Sequence, residues 1–260
     1  MGMSYFKLKK YDIKEHDSGN TIVLCTGASK YYSIIVDTYP QYRFSSIFTD
    51  YKHVYDWGMF ITGINLQQRE EIRIFLELLT KVFCIKDNLQ QSFAMGRYYD
   101  DPEHITKIGE VVNQAKYFQS TEARDLLYSY FYRFIFKHPA YRRSDFLISV
   151  PSSQPSKIGL CYEIVNRLSI EFNIQNGTKL VRKTRPTQPM KSLSTLKEKF
   201  DNITGSFEVS TESLLGKRVT LIDDVYSSGT TINELAQILK QKGAVVQSLV
   251  ATKTLRNIKN

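Results

Sequence analysis

The sequence predicts an α/β fold, a parallel sheet flanked by helices, preceded by a small α+β domain. Three observations lead to this prediction. In the second half of the chain, apolar strand-like runs alternate with helical patterns, which is typical of a parallel sheet with crossover helices. Residues 21–65 instead contain short β-branched and aromatic runs separated by turn residues. The composition, 42% hydrophobic and 23% charged among 260 residues, is that of an ordinary globular protein.

The small N-terminal domain is predicted to comprise residues 1–105. Within it, runs of β-branched and aromatic residues predict an antiparallel sheet with strands over 21–25, 32–36 and 59–62. Asn65 and Gln68 have capping-box spacing and predict the start of a helix that continues to about Phe83. The polar stretch 87–103 predicts a connector, because it holds turn-forming residues and little apolar periodicity.

The C-terminal domain, residues 106–260, is predicted to hold the parallel sheet. The periodicity predicts helices over 108–117, 120–136, 159–172 and 231–242, a short helix near 194–201, and strands over 145–150, 179–182, 218–222 and 245–254. Gly243 takes the C-cap place after the last long helix. Ligands bind such sheets at the carboxyl ends of the strands, so we expect the functional site there.

The excess positive charge lies entirely in the C-terminal domain. The chain carries a net charge of +9. Residues 1–105 hold 12 Lys and Arg against 13 Asp and Glu, a net −1, whereas residues 106–260 hold 23 against 13, a net +10. Such a field attracts phosphate, whether on a nucleic acid or on a small ligand. The charge alone leaves both partners open.

Protein-bound transition metals and membrane spans are not expected. The cysteines Cys25, Cys84 and Cys161 form no CxxC pair, and the four histidines show no ligand spacing. No apolar stretch approaches the ~18 residues of a membrane span, and the N-terminal residues lack the apolar core of a signal peptide. We therefore expect a cytoplasmic protein without a membrane partner.

One segment carries most of the chemistry. The apolar strand 219–222 leads into two acids, Asp223 and Asp224, and a turn of small residues then opens a helix. The backbone N–H groups of residues 227–231 are expected to bind an anion at that helix N-terminus, where Gly229 allows a ligand to approach closely. The carboxylates repel phosphate but accept hydrogen bonds from hydroxyls. A ribose 5-phosphate satisfies both groups and is therefore the predicted ligand.

Residues 219–231 resemble the phosphoribosyl-pyrophosphate (PRPP) signature of type I phosphoribosyltransferases. The resemblance implies that fold for residues 106–260, and transfer of the 5-phosphoribosyl group to a nitrogen acceptor with release of pyrophosphate. It implies that Asp223 and Asp224 hold the ribose hydroxyls, directly or through Mg²⁺. The residues that would bind the 5′-phosphate are Ser227, Ser228, Gly229, Thr230 and Thr231.

A second segment is similar to the competence-associated, ComF-type branch of that superfamily. The matching residues are Arg185-Pro-Thr187, Leu193, Lys199, Asn202 and Gly205-Ser206-Phe207, together with Lys116-Tyr117, Val150-Pro151 and Gly159. The resemblance covers about residues 107–255. It does not reach the N-terminal domain, where ComF-type proteins usually carry a cysteine zinc ribbon that this sequence lacks.

The chain departs from the branch at several positions. Ile158-Gly159-Leu160-Cys161-Tyr162 stands where the branch usually has Arg-Gly-Phe-Asn-Gln. Met190 and Lys199 replace a usual Gln and Arg, so the pyrophosphate and acceptor contacts are expected to differ. Ser227 occupies the place of the third acid of 6-oxopurine enzymes, which disfavours hypoxanthine or guanine as the acceptor.

Two further groups complete the predicted site. A turn made of Pro151, Ser152, Ser153 and Gln154 is expected to face pyrophosphate. Lys157 is expected to replace the positive charge of the arginine that the branch usually has where Ile158 stands. Residues 179–199 hold seven basic residues against one acid. This basic segment is expected to form a mobile hood over PRPP, with Arg182, Lys183 and Arg185 facing the ligand. A solvated basic loop or a nucleic-acid patch is the alternative.

Two other functions stay open. One is a regulator or adaptor that binds PRPP without turnover, which the altered residues 158–162 favour. The other is a nucleic-acid module in competence or defence, using the basic C-terminal domain and base stacking by N-terminal tyrosines. Those tyrosines are Tyr31, Tyr32, Tyr39, Tyr42, Tyr51 and Tyr55. A homodimer is also left open, and the acceptor is not identified.

Overall fold

The computed structural model describes residues 5–49, 54–101, 103–152 and 159–254. These form two compact units. The first comprises Met1–Lys86 and Phe134–Tyr141, and the second comprises Asp87–Arg133 and Arg142–Asn260. Residues 87–105, which were predicted to belong to the N-terminal domain, fall in the second unit in this division.

The first unit contains a small antiparallel sheet. Its strands are β2 (Lys10–Glu15), β3 (Thr21–Thr26), β4 (Arg43–Phe44) and β5 (Trp57–Thr62), in the order β2–β3–β5–β4. In the same unit β1 (Tyr5–Phe6) pairs antiparallel with β6 (Phe83–Ile85). The predicted strands over 21–25 and 59–62 are confirmed, because β3 and β5 pair along these residues.

The predicted strand over 32–36 is wrong, because these residues lie in helix α1 (Lys30–Thr38). Its β-branched residues favoured a strand. The buried residues of the helix are Tyr31, Ile34, Ile35 and Thr38, a spacing that fits one helical face. Burial of that face therefore outweighs local β propensity.

Helix α2 (Leu66–Lys81) begins where the capping box predicted it. The Gln68 backbone N–H donates to the Asn65 side-chain oxygen at 2.9 Å, and the Asn65 N–H donates to the Gln68 side chain at 2.9 Å. Both bonds satisfy N–H groups that have no partner within a helix. The predicted apolar face is buried, with Phe75 and Leu76 at its centre.

The second unit contains a parallel sheet. Its strands are β7 (Ser92–Arg97), β8 (Phe146–Ser149), β9 (Gln175–Asn176), β12 (Arg218–Tyr226) and β13 (Val245–Lys253), in the order β7–β13–β12–β8–β9. Every neighbouring pair is parallel. The α/β prediction is therefore confirmed. Strand β7 corrects the prediction of a connector over 87–103, because the short apolar run Phe93–Ala94 is fully buried between polar flanks.

Six further α-helices follow α2 in the described residues. They are α3 (Lys107–Tyr117), α4 (Thr121–Lys137), α5 (Pro139–Arg142), α6 (Leu160–Phe172), α7 (Leu196–Ile203) and α8 (Thr230–Gln241). Residues 134–141, which include the end of α4 and most of α5, belong to the first unit. Strand β10 (Val181–Lys183) pairs antiparallel with β11 (Phe207–Val209). The predicted strand over 179–182 thus belongs to this ribbon and not to the parallel sheet.

Three parallel strands bring their carboxyl ends to one edge. The register pairs Tyr226 of β12 with Lys253 of β13, and Lys253 with Arg97 of β7. On the other side of β12, the Val150 N–H donates to the Ile222 carbonyl at 3.0 Å, just before Pro151. The acids after Ile222 and the turn after Val150 therefore start at the same edge, as the sequence predicted.

Candidate active site

The two acids lie near the carboxyl end of β12. Asp224 is buried, with 12% of its side chain exposed, whereas Asp223 is half-buried. The Asp224 backbone N–H donates to Oδ1 of Asp223 at 2.9 Å, which fixes the orientation of the first carboxyl. The structure thus brings both predicted acids together at the sheet edge.

Lys116 provides a cation for this pair. Its Nζ atom lies 2.5 Å from Oδ2 of Asp224, and 40% of the lysine side chain is exposed. Lys116 lies in the last turn of helix α3, far from the acids in the sequence. The sequence analysis identified Lys116 only as part of the Lys116-Tyr117 pair that is similar to the ComF-type branch. Its ion pair with Asp224 becomes evident only in the folded chain.

The acids and Lys116 shift one another's protonation. Burial raises the pKa of Asp223 to about 8, and the neighbouring Asp224 carboxylate adds to the rise while Lys116 opposes it. Burial disfavours the charged form of Lys116, but Asp224 and Asp223 together raise its pKa above the ordinary value. Burial and the Asp224 carboxylate thus favour the protonated form of Asp223, whereas the two acids favour the charged form of Lys116.

The turn after the acids fits only glycine at its last position. Gly229 is the N-cap of α8 and has a φ of +79°, a region that other residues rarely adopt. A Cβ atom there would lie 2.2 Å from the Tyr226 hydroxyl oxygen. Within the turn the Ser228 and Thr230 hydroxyls lie 2.9 Å apart. The predicted phosphate turn is therefore a compact bend at a helix N-terminus.

Lys253 lies beside that turn and was missed by the sequence analysis. Its Nζ atom lies 3.4 Å from the Ser227 carbonyl oxygen and 4.8 Å from the centre of the Tyr226 ring. Only 2% of the residue is exposed. A lysine near the end of the predicted strand 245–254 is the signal that could have found it, since buried lysines are rare.

The predicted pyrophosphate turn is described only in part. Pro151 and Ser152 follow β8 at the same edge as the acids. Ser153, Gln154 and Lys157 lie outside the described residues. After this gap α6 begins at Leu160 with Gly159 as its N-cap. The Cys161 thiol in its first turn is buried, and burial together with the charges of Asp224 and Asp223 raises its pKa.

The predicted hood residues have partners within their own segment. Arg182 pairs with Glu208 at 2.7 Å, and the Lys183 ammonium donates to the Thr187 hydroxyl at 2.6 Å. Burial, followed by the charge of Arg185, lowers the pKa of Lys183. Arg185 donates to the Thr204 carbonyl at 2.9 Å, at the end of α7. A ligand-facing role for these three cations stays a prediction.

One hood residue contacts the phosphate turn. The Met190 sulfur lies 3.9 Å from the Thr230 hydroxyl. Beyond the hood, after α7, the Gly205 N–H donates to the Glu234 carboxylate of α8 at 2.8 Å. The hood thus contacts α8 at its N-terminus, and the residues that follow the hood contact the same helix one turn further along.

The structure describes five of the six N-terminal tyrosines, and two of these are buried. Tyr31 and Tyr39 are fully buried, and the Tyr32 hydroxyl donates to the Ser45 carbonyl at 3.0 Å. Tyr42 stacks on Tyr39, with 5.6 Å between ring centres. Tyr51 lies outside the described residues. Two of the six tyrosines are therefore inaccessible to a base.

Grouped metal ligands and membrane-spanning helices are both absent from the described residues. In the part of the chain that the structure describes, no three His, Cys, Asp or Glu side chains are grouped to hold a metal ion. Over the same residues, none of the helices combines the length and apolarity needed to cross a membrane.

The chain is similar to known proteins in structure only. No protein-family model matches the chain, and no curated protein is significantly similar to it. Similar solved structures include an orotate phosphoribosyltransferase from Aeropyrum pernix, at 20% identity over 52% of this chain and 62% of that chain, with a TM-score of 0.35. An adenine phosphoribosyltransferase has 14% identity over 72% and 92%, with a TM-score of 0.38. The enzyme of that name from Leishmania tarentolae has 12% identity over 61% and 82%, with a TM-score of 0.31. These TM-scores are low, so the function is inferred from the site itself.

Proposed function

We propose that the chain binds PRPP and transfers its 5-phosphoribosyl group to a nitrogen acceptor, releasing pyrophosphate. One observation carries the proposal. Strand β12 carries Asp223 and Asp224 near its carboxyl end, and the bend that follows the strand leads into helix α8 with Gly229 as its N-cap. Adjacent groups of these two kinds match a sugar hydroxyl pair and a terminal phosphate.

The bend supplies the phosphate contacts. Backbone N–H groups at the start of α8 have no helical acceptor, and the helix dipole favours an anion at this end. The Ser228 and Thr230 hydroxyls add donors. The Lys253 ammonium lies against the Ser227 carbonyl and adds buried positive charge beside the bend. We assign the 5′-phosphate to residues 227–231.

The acids supply the ribose contacts. Asp223 and Asp224 are assigned to the 2′- and 3′-hydroxyls, which would donate to the carboxylate oxygens. Among the described residues these two carboxylates have no third metal-binding side chain grouped with them, which fits Mg²⁺ held mainly by substrate oxygens and waters. Bound there, Mg²⁺ would neutralise charge on the leaving pyrophosphate.

We assign the turn after β8 and the basic hood to pyrophosphate, the leaving group. The C1–O bond to pyrophosphate breaks, the bonding electrons depart with pyrophosphate, and a C1–N bond forms to the acceptor through an oxocarbenium-like transition state. Pro151 and Ser152 start the turn that we assign to pyrophosphate, with Ser153, Gln154 and Lys157 beyond them. The basic hood, residues 179–199, would exclude water and supply positive charge. The ComF-type branch and a cytoplasmic location belong to the same proposal.

Calorimetric titration with PRPP tests the ribose assignment. Asp223→Ala and Asp224→Ala are each expected to weaken binding at least tenfold, about 1.4 kcal/mol, because one charge-assisted hydrogen bond contributes ~1.5–3 kcal/mol. Asp17→Ala, an exposed turn position in the first unit, is the matched control. Wild-type affinity in both site variants would remove the assignment.

A PRPP-binding regulator without turnover is the second candidate. The observation that favours it is the start of α6, where Leu160 and Cys161 are buried and apolar at positions where the branch usually has Phe and Asn. Pyrophosphate release with Mg²⁺ over a panel of nitrogen heterocycles separates the two candidates. Binding of PRPP without release over the whole panel would favour the regulator.

A further inference from the structure

Helix α3 is built to bring its last turn to the acids. The Thr106 side chain caps the helix by accepting from the Gly109 N–H at 3.0 Å, and the Thr106 N–H donates to the Tyr98 carbonyl at 3.1 Å. A Cβ atom on Gly109 would lie 2.2 Å from the Tyr98 carbonyl oxygen. The helix therefore starts in close contact with the end of β7 and reaches Asp224 of β12 with Lys116.

The Lys116 ammonium takes a position that a metal ion would need. It lies 2.5 Å from Oδ2 of Asp224, a carboxylate with little exposed surface. The negative charges of Asp224 and Asp223 both favour the charged form of Lys116. A second cation that approached the same oxygen would be repelled by the ammonium, and the low exposure of the Asp224 carboxylate limits the screening of this repulsion by water.

We propose that Lys116 is the resident counter-ion of Asp224 and prevents a divalent cation from binding to the acid pair of the ligand-free protein. A ligand must then bring its metal with it or move the lysine aside. This inference rests on the proposed function only in naming PRPP as that ligand. The counter-ion role concerns the protein alone.

Mn²⁺ binding without any phosphate ligand tests this role, with electron paramagnetic resonance as the readout. The wild-type chain is expected to show no saturable Mn²⁺ site at the acids. Lys116→Met is expected to bind Mn²⁺ about tenfold more tightly or better, because the repelling charge is gone. Lys116→Arg should behave like the wild type. Lys107→Met, at the exposed start of the same helix, is the matched control.

A double variant locates the gained site. Adding Asp224→Asn to Lys116→Met should remove the Mn²⁺ binding again. Circular dichroism checks that each variant is folded, and Lys116→Gln replaces Lys116→Met if the latter is not. The proposal is overturned if the wild type binds Mn²⁺ as tightly as Lys116→Met, if neither neutral variant gains a site, or if the gained site survives Asp224→Asn. None of these results depends on whether PRPP binds.

Discussion

The Lys253 ammonium lies 3.4 Å from the Ser227 carbonyl oxygen, so a buried cation contacts the first residue of the bend between β12 and α8. The lysine also lies over the Tyr226 ring, at 4.8 Å. Tyr226 in turn contacts the backbone of Gly229 closely enough to exclude a Cβ atom. Lys253 of strand β13 therefore contacts the bend directly at Ser227 and indirectly through the Tyr226 ring.

Lys253→Met should weaken binding of ribose 5-phosphate by about tenfold, because a buried charge near a phosphate is poorly screened by water. Methionine keeps most of the side-chain volume, so packing should change little. Calorimetric titration measures the effect. Lys81→Met, an exposed position on α2, is the control. A folded Lys253→Met chain with wild-type affinity would contradict the role of this lysine.

Gly229→Ala should unfold more easily and lose ribose 5-phosphate binding. Its φ of +79° costs alanine about 1 kcal/mol, and the contact with Tyr226 adds a steric clash. Gly63→Ala separates the two effects, because Gly63 has a φ of +70° and no atom within 4 Å of its Cβ position.

Urea unfolding of both variants measures the difference. Gly229→Ala should lose clearly more stability than Gly63→Ala, and only the former should lose ligand binding. Equal losses of stability would mean that the contact with Tyr226 is not a constraint on the bend.

The sequence predicts the strand, the acids and the bend as one contiguous segment, but not the side chains that reach this segment from elsewhere in the chain. Strand, acids and bend follow one another from residue 218 to 231, so their chemistry can be predicted without knowing the fold. Lys116 and Lys253 reach the same edge only through the order of parallel strands and the path of α3. The helix over Lys30–Thr38 was missed because its buried face outweighs the β propensity of its residues.

Trypsin should cut the hood more slowly when PRPP is bound. The hood contacts the phosphate turn through Met190 and Thr230, and its basic residues include Lys197, whose side chain is largely exposed. Closure over a bound ligand lowers the fraction of time in which a protease can reach the chain. Mass spectrometry of early fragments measures the cleavage rate within residues 179–199.

Asp224→Ala is the control for the protease experiment, because it should reduce PRPP binding and hence the protection. An unchanged cleavage rate at saturating PRPP, in a wild-type chain that binds it, would mean that the hood does not close. The basic segment would then be a solvated loop.

Asp87→Asn should make the stability of the chain less sensitive to pH. Burial raises the pKa of Asp87, with hydrogen bonds from Ser92, Leu89 and Tyr226 opposing the rise. With a raised native pKa, the native chain holds this proton above about pH 4, where the unfolded chain releases it. The stabilisation is therefore complete below that pH and is lost as the pH rises through the native pKa. Asparagine has no such proton to release.

Urea unfolding tests this sign, between about pH 4 and 7 for Asp87→Asn and between about pH 2 and 5 for Asp145→Asn, because the native pKa of Asp145 lies below that of the unfolded chain. The free energy of unfolding of Asp87→Asn, relative to the wild type, should increase with pH. Asp145→Asn should do the opposite. Burial alone would raise the pKa of Asp145, but its bonds from the Arg218 N–H and the Lys217 ammonium lower it overall. Its stabilisation is present above the unfolded pKa and is lost as the pH falls through the native value. Parallel pH profiles for both variants would contradict the two assignments, because the two carboxyls are expected to act in opposite directions.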